Sequence, residues 1–167
     1  EGRVSETDCL DCPRGKHSTV RGLIGTVGGD NCQTCGKGKY ARTASDTLCS
    51  SCSAGKYQDS DIATEYNCTA CAGGKYSDAD EMQTSSSTCK SCPSGWYSVA
   101  GEAQISDVVC ISCAIGKFSD AGEAQTSATV CKHCKSGFYQ DTAGSLLCKA
   151  CSAGKFSDLA GSTMPCK

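Results

Sequence analysis

The chain has 167 residues, yet Leu, Ile, Val and Phe together number only 21, too few for a conventional apolar core. Its 16 basic and 18 acidic residues nearly cancel, so it lacks the high net charge of a disordered chain. It also lacks the basic clusters that bind phosphates, and no apolar run approaches the ~18 residues that span a bilayer. Cysteine is abundant instead, at 17 residues, the density of a disulfide scaffold.

Sixteen of these cysteines form eight Cys-x-x-Cys pairs at 9/12, 32/35, 49/52, 68/71, 89/92, 110/113, 131/134 and 148/151, with Cys166 alone near the end. A drifting period of about twenty residues marks a tandem array. Taking the first cysteine as the start, the units are 9–31, 32–48, 49–67, 68–88, 89–109, 110–130, 131–147 and 148–166.

Within each unit the offsets are fixed. Three residues after the second cysteine stands a glycine: Gly15, Gly38, Gly55, Gly74, Gly95, Gly116, Gly137 and Gly154. Two residues further comes a ring in seven units, Tyr40, Tyr57, Tyr76, Tyr97, Phe118, Tyr139 and Phe156, whereas the first unit has His17. With Pro13 and Pro93 directly after the cysteine, Cys-x-x-Gly fits a type I turn with glycine at its fourth place. A left-handed glycine then leads into an extended segment. There the period-two alternation sets Lys117 and Ser119 against Phe118.

Asp120-Ala121-Gly122, Asp141-Thr142-Ala143-Gly144 and Asp158-Leu159-Ala160-Gly161 punctuate a second reversal. Short apolar stretches, Val108-Val109, Thr129-Val130 and Leu146-Leu147, return to the next cysteine. No segment sustains a helical period. The fold expected is small and disulfide-rich, mostly irregular with short β-hairpins, and arranged as an elongated linear array of about eight repeats that touch mainly their neighbours.

Three chemistries use Cys-x-x-Cys. Zinc ribbons accept these spacings, thioredoxin-like redox motifs require a strand-helix-strand setting that is missing here, and covalent haem requires a histidine straight after the second cysteine, which none of the eight pairs has. Structural disulfides are the remaining reading, and spacing alone does not choose a connectivity. The serial pattern CxxCxxG[KW][YF]SD resembles the ephrin-receptor-like cysteine-rich repeat, and its turn-glycine-aromatic core resembles the first submodule of tumour necrosis factor receptor domains. The resemblance implies bonds from each second cysteine to the next first cysteine, with the aromatic packed against the bridge. The implied pairs are Cys12–Cys32, Cys35–Cys49, Cys52–Cys68, Cys71–Cys89, Cys92–Cys110, Cys113–Cys131, Cys134–Cys148 and Cys151–Cys166. Cys9 is then left unpaired, its partner expected upstream, and the chain reads as a fragment of a longer repeat protein. Neither cofactor nor metal is implied.

The only histidines, His17 and His133, occupy an aromatic slot and a cysteine turn, so no catalytic role is expected. Asp59-x-Asp61 and Asp78-x-Asp80-Glu81 lack the pattern of an EF-hand loop and read as turn caps. Lysine precedes the ring slot at Lys16, Lys39, Lys56, Lys75, Lys117 and Lys155, a solvated face with Asp59, Asp78, Asp120 and Asp158 close by. Trp96 and Phe138 replace it in two units. By alternation they are the large rings expected on the surface, for partner contact or for packing on a neighbouring repeat. Asn67-Cys68-Thr69 is a glycosylation sequon.

The expectation is an extracellular protein, secreted or at the cell surface, serving as a spacer, matrix or filament component. The alternative is a receptor or adhesion ectodomain. Partners would be other copies or other extracellular proteins, with no nucleic acid and no membrane insertion within this segment.

Overall fold

The computed structural model describes residues 12–18, 32–43, 46–62 and 67–167. Regular structure among them is confined to short strands and three single 3-10 turns. Seven two-stranded antiparallel hairpins follow one another: β1 Lys16–Ser18 with β2 Cys32–Thr34, β3 Lys39–Tyr40 with β4 Ser50–Ser51, β5 Lys56–Tyr57 with β6 Thr69–Ala70, β7 Lys75–Tyr76 with β8 Lys90–Ser91, β9 Trp96–Tyr97 with β10 Ile111–Ser112, β11 Lys117–Phe118 with β12 Lys132–His133, and β13 Phe138–Tyr139 with β14 Lys149–Ala150. In the eighth turn, Phe156 and Lys167 exchange both backbone hydrogen bonds in the same manner.

The register repeats. In Tyr40↔Ser50 and Tyr76↔Lys90 the ring residue faces the residue after the next first cysteine. Each hairpin therefore joins the strand after one motif to the two residues inside the next motif. Strands this short need closure from elsewhere.

The turn sits one residue later than the sequence suggested. Its hydrogen bond runs from the residue after glycine to the carbonyl of the residue after cysteine, as in Lys16 N–H to Pro13 and Trp96 N–H to Pro93, both 3.0 Å. Glycine thus holds the third place, with φ between 73° and 84° across the eight units. That is the arrangement of a type II turn, in which the third residue must be left-handed.

The return to the next cysteine also differs from expectation. Asp107–Val109 and Ala128–Val130 are 3-10 turns, capped where Ser106 and Ser127 side chains accept from Val108 N–H and Thr129 N–H. A one-turn element carries no apolar periodicity to detect. Val108 is 80% exposed, so these apolar residues do not form a core.

The described chain divides into two compact units, Glu1–Ala70 with Ala79–Thr88, and Cys71–Asp78 with Cys89–Lys167. Both show the same successive contacts. A left-handed loop residue donates its N–H to the second cysteine of the preceding motif: Met82 to Cys52 in the first unit, and Ala103 to Cys71, Ala124 to Cys92, Gly144 to Cys113 and Gly161 to Cys134 in the second. The residue after the ring donates to the next loop, as in Gln58 to Gln83 at 3.0 Å and Ser77 to Gln104 at 2.8 Å.

Contact also extends beyond the nearest neighbour. The carbonyl of Met82 lies against Gly38, and those of Ala124, Gly144 and Gly161 lie against Gly74, Gly95 and Gly116, in each case two motifs back. A β-carbon at any of these glycines would collide with that carbonyl oxygen. The left-handed position also shifts with repeat length. In the 21-residue units it falls on Ala103 and Ala124, two residues beyond Gly101 and Gly122, whereas in the shorter units it falls on Gly144 and Gly161 themselves.

Three alanine substitutions separate these effects in denaturant titrations of the oxidised chain. Gly137 is left-handed with nothing within 4 Å of an added β-carbon, so Gly137→Ala is expected to cost the conformational penalty alone, about 1–2 kcal/mol. Gly95→Ala adds the carbonyl collision and is expected to cost more than ~3 kcal/mol. Gly122→Ala, in open space and without positive φ, should stay within ~0.5 kcal/mol. Equal costs at Gly95 and Gly137 would contradict the second-neighbour contact.

Candidate functional site

The chemistry concentrated in this chain is its sulfur. Eight disulfides run Cys12–Cys32, Cys35–Cys49, Cys52–Cys68, Cys71–Cys89, Cys92–Cys110, Cys113–Cys131, Cys134–Cys148 and Cys151–Cys166, with Cα–Cα separations of 5.4–5.8 Å. Each joins a second cysteine to the first cysteine of the following motif. Cys9 lies outside the described residues.

These bridges also form the interior. Cys35, Cys52, Cys92 and Cys134 are fully buried, and the other side chains with less than 2% exposure are Cys71, Cys113, Ala41, Ser77, Ser98 and Ser119. Among the described residues no Leu, Ile, Val, Phe or Tyr is buried.

The ring slot is less enclosed than expected. Tyr40, Tyr57, Tyr76, Tyr97, Phe118 and Tyr139 are half-buried, and Phe156 is 64% exposed. The buried position is the one after the ring: Ala41, Gln58, Ser77, Ser98, Ser119 and Gln140. The alternation was correct in separating Ser119 from Phe118, but the serine face turns inward. Only a small or amide side chain fits that narrow interior and satisfies itself locally. Gln140 donates to the Leu147 carbonyl at 2.7 Å and accepts from Thr142 N–H at 3.0 Å. Ser98 and Ser119 hydroxyls accept from Ala100 and Ala121 N–H at 3.2 and 3.3 Å, whereas Ser77 Oγ is buried without a partner. The recurrence of Gln or Ser before Asp was visible in the sequence, but hydrophobicity gives such residues no inward signal.

Trp96 is not a free surface ring. It is half-buried, and a β-carbon at Gly144, two motifs later, would come 2.6 Å from its Nε1. His133 stands in the same way against Gly161, again at 2.6 Å. Phe138 is 42% exposed, but Phe156 exceeds it, so the large exposed rings are Phe138 and Phe156 rather than Trp96 and Phe138.

The aspartates serve a different set of lysines. Asp78 pairs with Lys90 at 2.7 Å, Asp120 with Lys132 at 2.6 Å and Asp141 with Lys149 at 2.5 Å, each lysine lying inside the next Cys-x-x-Cys. The lysine hydrogen bond holds each of these carboxyls below the ordinary range, and its counterpart raises Lys90 and Lys149. Such exposed pairs contribute little to stability. Asp61 pairs with Lys37 at 3.6 Å, so Asp61 and Asp78 each have a cationic partner.

Asn67 is exposed, its Oδ1 accepting from Cys68 N–H at 2.9 Å beside the buried Cys68. An open depression of about 180 Å³ lies among Tyr76, Pro93, Trp96, Asp107 and Cys110. That is smaller than the ~300 Å³ at which ligand pockets begin. No helix among the described residues is long and apolar enough to cross a membrane.

A family model described as tyrosine-protein kinase ephrin type A/B receptor-like matches residues 122–165. No curated protein matches the chain. The matched segment is ephrin-receptor-like, and the same sequence of turn, strand and bridge recurs along the rest of the described chain. Tandem cysteine-rich repeats with eight disulfides fit an extracellular domain.

The packing of Gly144 on Trp96 predicts coupling. Gly144→Ala alone is expected to cost about 2–3 kcal/mol, from left-handed strain plus collision with the indole. Ala124 shows that alanine occupies the equivalent position, at φ 57°, where Lys75 stands in the hairpin two motifs back. In a Trp96→Lys background the cost should therefore fall by at least ~1 kcal/mol in a double-mutant cycle. Strict additivity would contradict the contact.

Proposed function

We propose that this chain is a structural part of an extracellular protein, a disulfide-stapled array acting as spacer, matrix or surface-filament component. One observation supports the reading: among the described residues, the geometry that recurs from motif to motif joins one repeat to another. The turn glycine, the buried residue after the ring, the second cysteine and the left-handed loop residue all make contacts between motifs. Such a unit suits extension by addition.

The proposal assigns no catalysis to the chain, and it takes self-association or contact with other extracellular proteins as the mode of partnership. A receptor or adhesion role would place a ligand on particular repeats. The exposed Phe138, Phe156, Leu146 and Leu147 give such a contact its apolar surface.

Scattering and sedimentation on one sample test the reading. A compact chain of this length has a radius of gyration of about 15 Å. The array should exceed this clearly and associate regularly with itself. A value near the compact figure, or a monomer that captures a single soluble ligand, would overturn it.

A further inference from the structure

His17 is the one residue of the ring slot that is not aromatic carbocycle or phenol, and it is the most enclosed of them, at 9% exposed. It stands in β1 opposite Gln33 of β2, which directs its imidazole at the bridge closing the next loop. Nδ1 lies 3.1 Å from Cys49 Sγ and 3.9 Å from Cys35 Sγ. Among the described residues, this is the only grouping of three His, Cys, Asp or Glu side chains close enough to share a ligand, but its two sulfurs are bonded to each other.

An imidazole beside a disulfide acts on its chemistry. Exchange begins when an external thiolate attacks one sulfur along the S–S axis, and it is faster when the departing sulfur is a better-stabilised thiolate. A neighbouring imidazole supplies that stabilisation when its ring N–H donates a hydrogen bond to the departing thiolate. Cys35 is fully buried and Cys49 is half-buried, so access favours attack on Cys49.

We propose that Cys35–Cys49 is a thiol-exchange site, whose substrate class is a thiolate carried by a small dithiol or by a cysteine of another protein. The incoming sulfur bonds to Cys49 Sγ, the Cys35–Cys49 bond breaks, and its electron pair departs on Cys35 Sγ, 3.9 Å from His17 Nδ1, whose N–H donates to the new thiolate. With a dithiol, its second thiolate then displaces Cys49 from the mixed disulfide. The dithiol is oxidised to a disulfide, two electrons pass to the protein, and the two protons released by the dithiol balance those taken up by Cys35 and Cys49. With a protein cysteine that has no second thiol, the reaction stops at the mixed disulfide and leaves a covalent crosslink at Cys49.

The molecule contains its own control. Cys134–Cys148 has the same sequence separation of 14, a fully buried second cysteine and a half-buried first one, and Phe118 stands in the slot that His17 fills for Cys35–Cys49. The oxidised chain is treated with substoichiometric dithiothreitol, quenched by alkylation and mapped by mass spectrometry. The label on Cys35 and Cys49 should appear about tenfold faster than on Cys134 and Cys148. His17→Phe, which installs the ring of the control repeat, should remove that difference. Equal rates at the two bridges in the unaltered chain, or a difference that survives H17F, would overturn the proposal. If H17F does not fold, Phe118→His decides instead: faster exchange at Cys134–Cys148 supports the site, and no change overturns it. Reaction with a single-cysteine protein under the same conditions distinguishes the two sources, a crosslink at Cys49 marking protein thiols as substrates and labelling by the small dithiol alone restricting the site to small thiols.

Discussion

The bond from the second cysteine of one motif to the first cysteine of the next is the constraint on which the rest depends. Hairpins of two or three residues per strand do not persist alone in water. Closing a loop of 14 to 20 residues removes about 3 kcal/mol of chain entropy from the unfolded state. The same bond places sulfur where another protein would place leucine, so the bridge is both the crosslink and the interior. This explains how a chain with 21 large aliphatic or Phe residues folds while Val108, Leu147 and Leu159 stay exposed.

A thin interior has consequences for every position around it. With a disulfide filling the centre of each repeat, the inward position of the strand admits only Ala, Ser or Gln, and the rings lie along the side. Backbones then approach closely enough that turn glycines meet carbonyls from two motifs away. Where a hairpin carries a large ring, as at Trp96 or His133, the facing loop residue is glycine. Where it carries lysine and a small partner, alanine or methionine stands there. The array is therefore specified by steric fit between repeats as much as by covalent links.

Much of this was legible. The period of about twenty, the left-handed turn glycine and the hairpin class all follow from Cys-x-x-Cys-x-x-Gly and the alternation after it. The connectivity did not follow from spacing and rested on the likeness to ephrin-receptor-like repeats. Three features escaped for physical reasons. Ser77, Ser98 and Ser119 look like solvent-facing residues because nothing in a serine signals burial in a sulfur-lined interior. The 3-10 turns at Asp107–Val109 and Ala128–Val130 are too short to leave a period. The second-neighbour contact on Trp96 depends on a left-handed residue two motifs later, a separation at which no local rule operates.

The most direct test of the central claim compares one sample before and after full reduction in the presence of a metal chelator, read by amide chemical-shift dispersion and hydrogen exchange. The account predicts dispersed, protected amides in the strands of the oxidised chain, and the collapse of both once the sulfurs are free. A reduced, metal-free chain that kept its dispersion and protection would show that something other than the bridges holds the repeats, and would contradict the account.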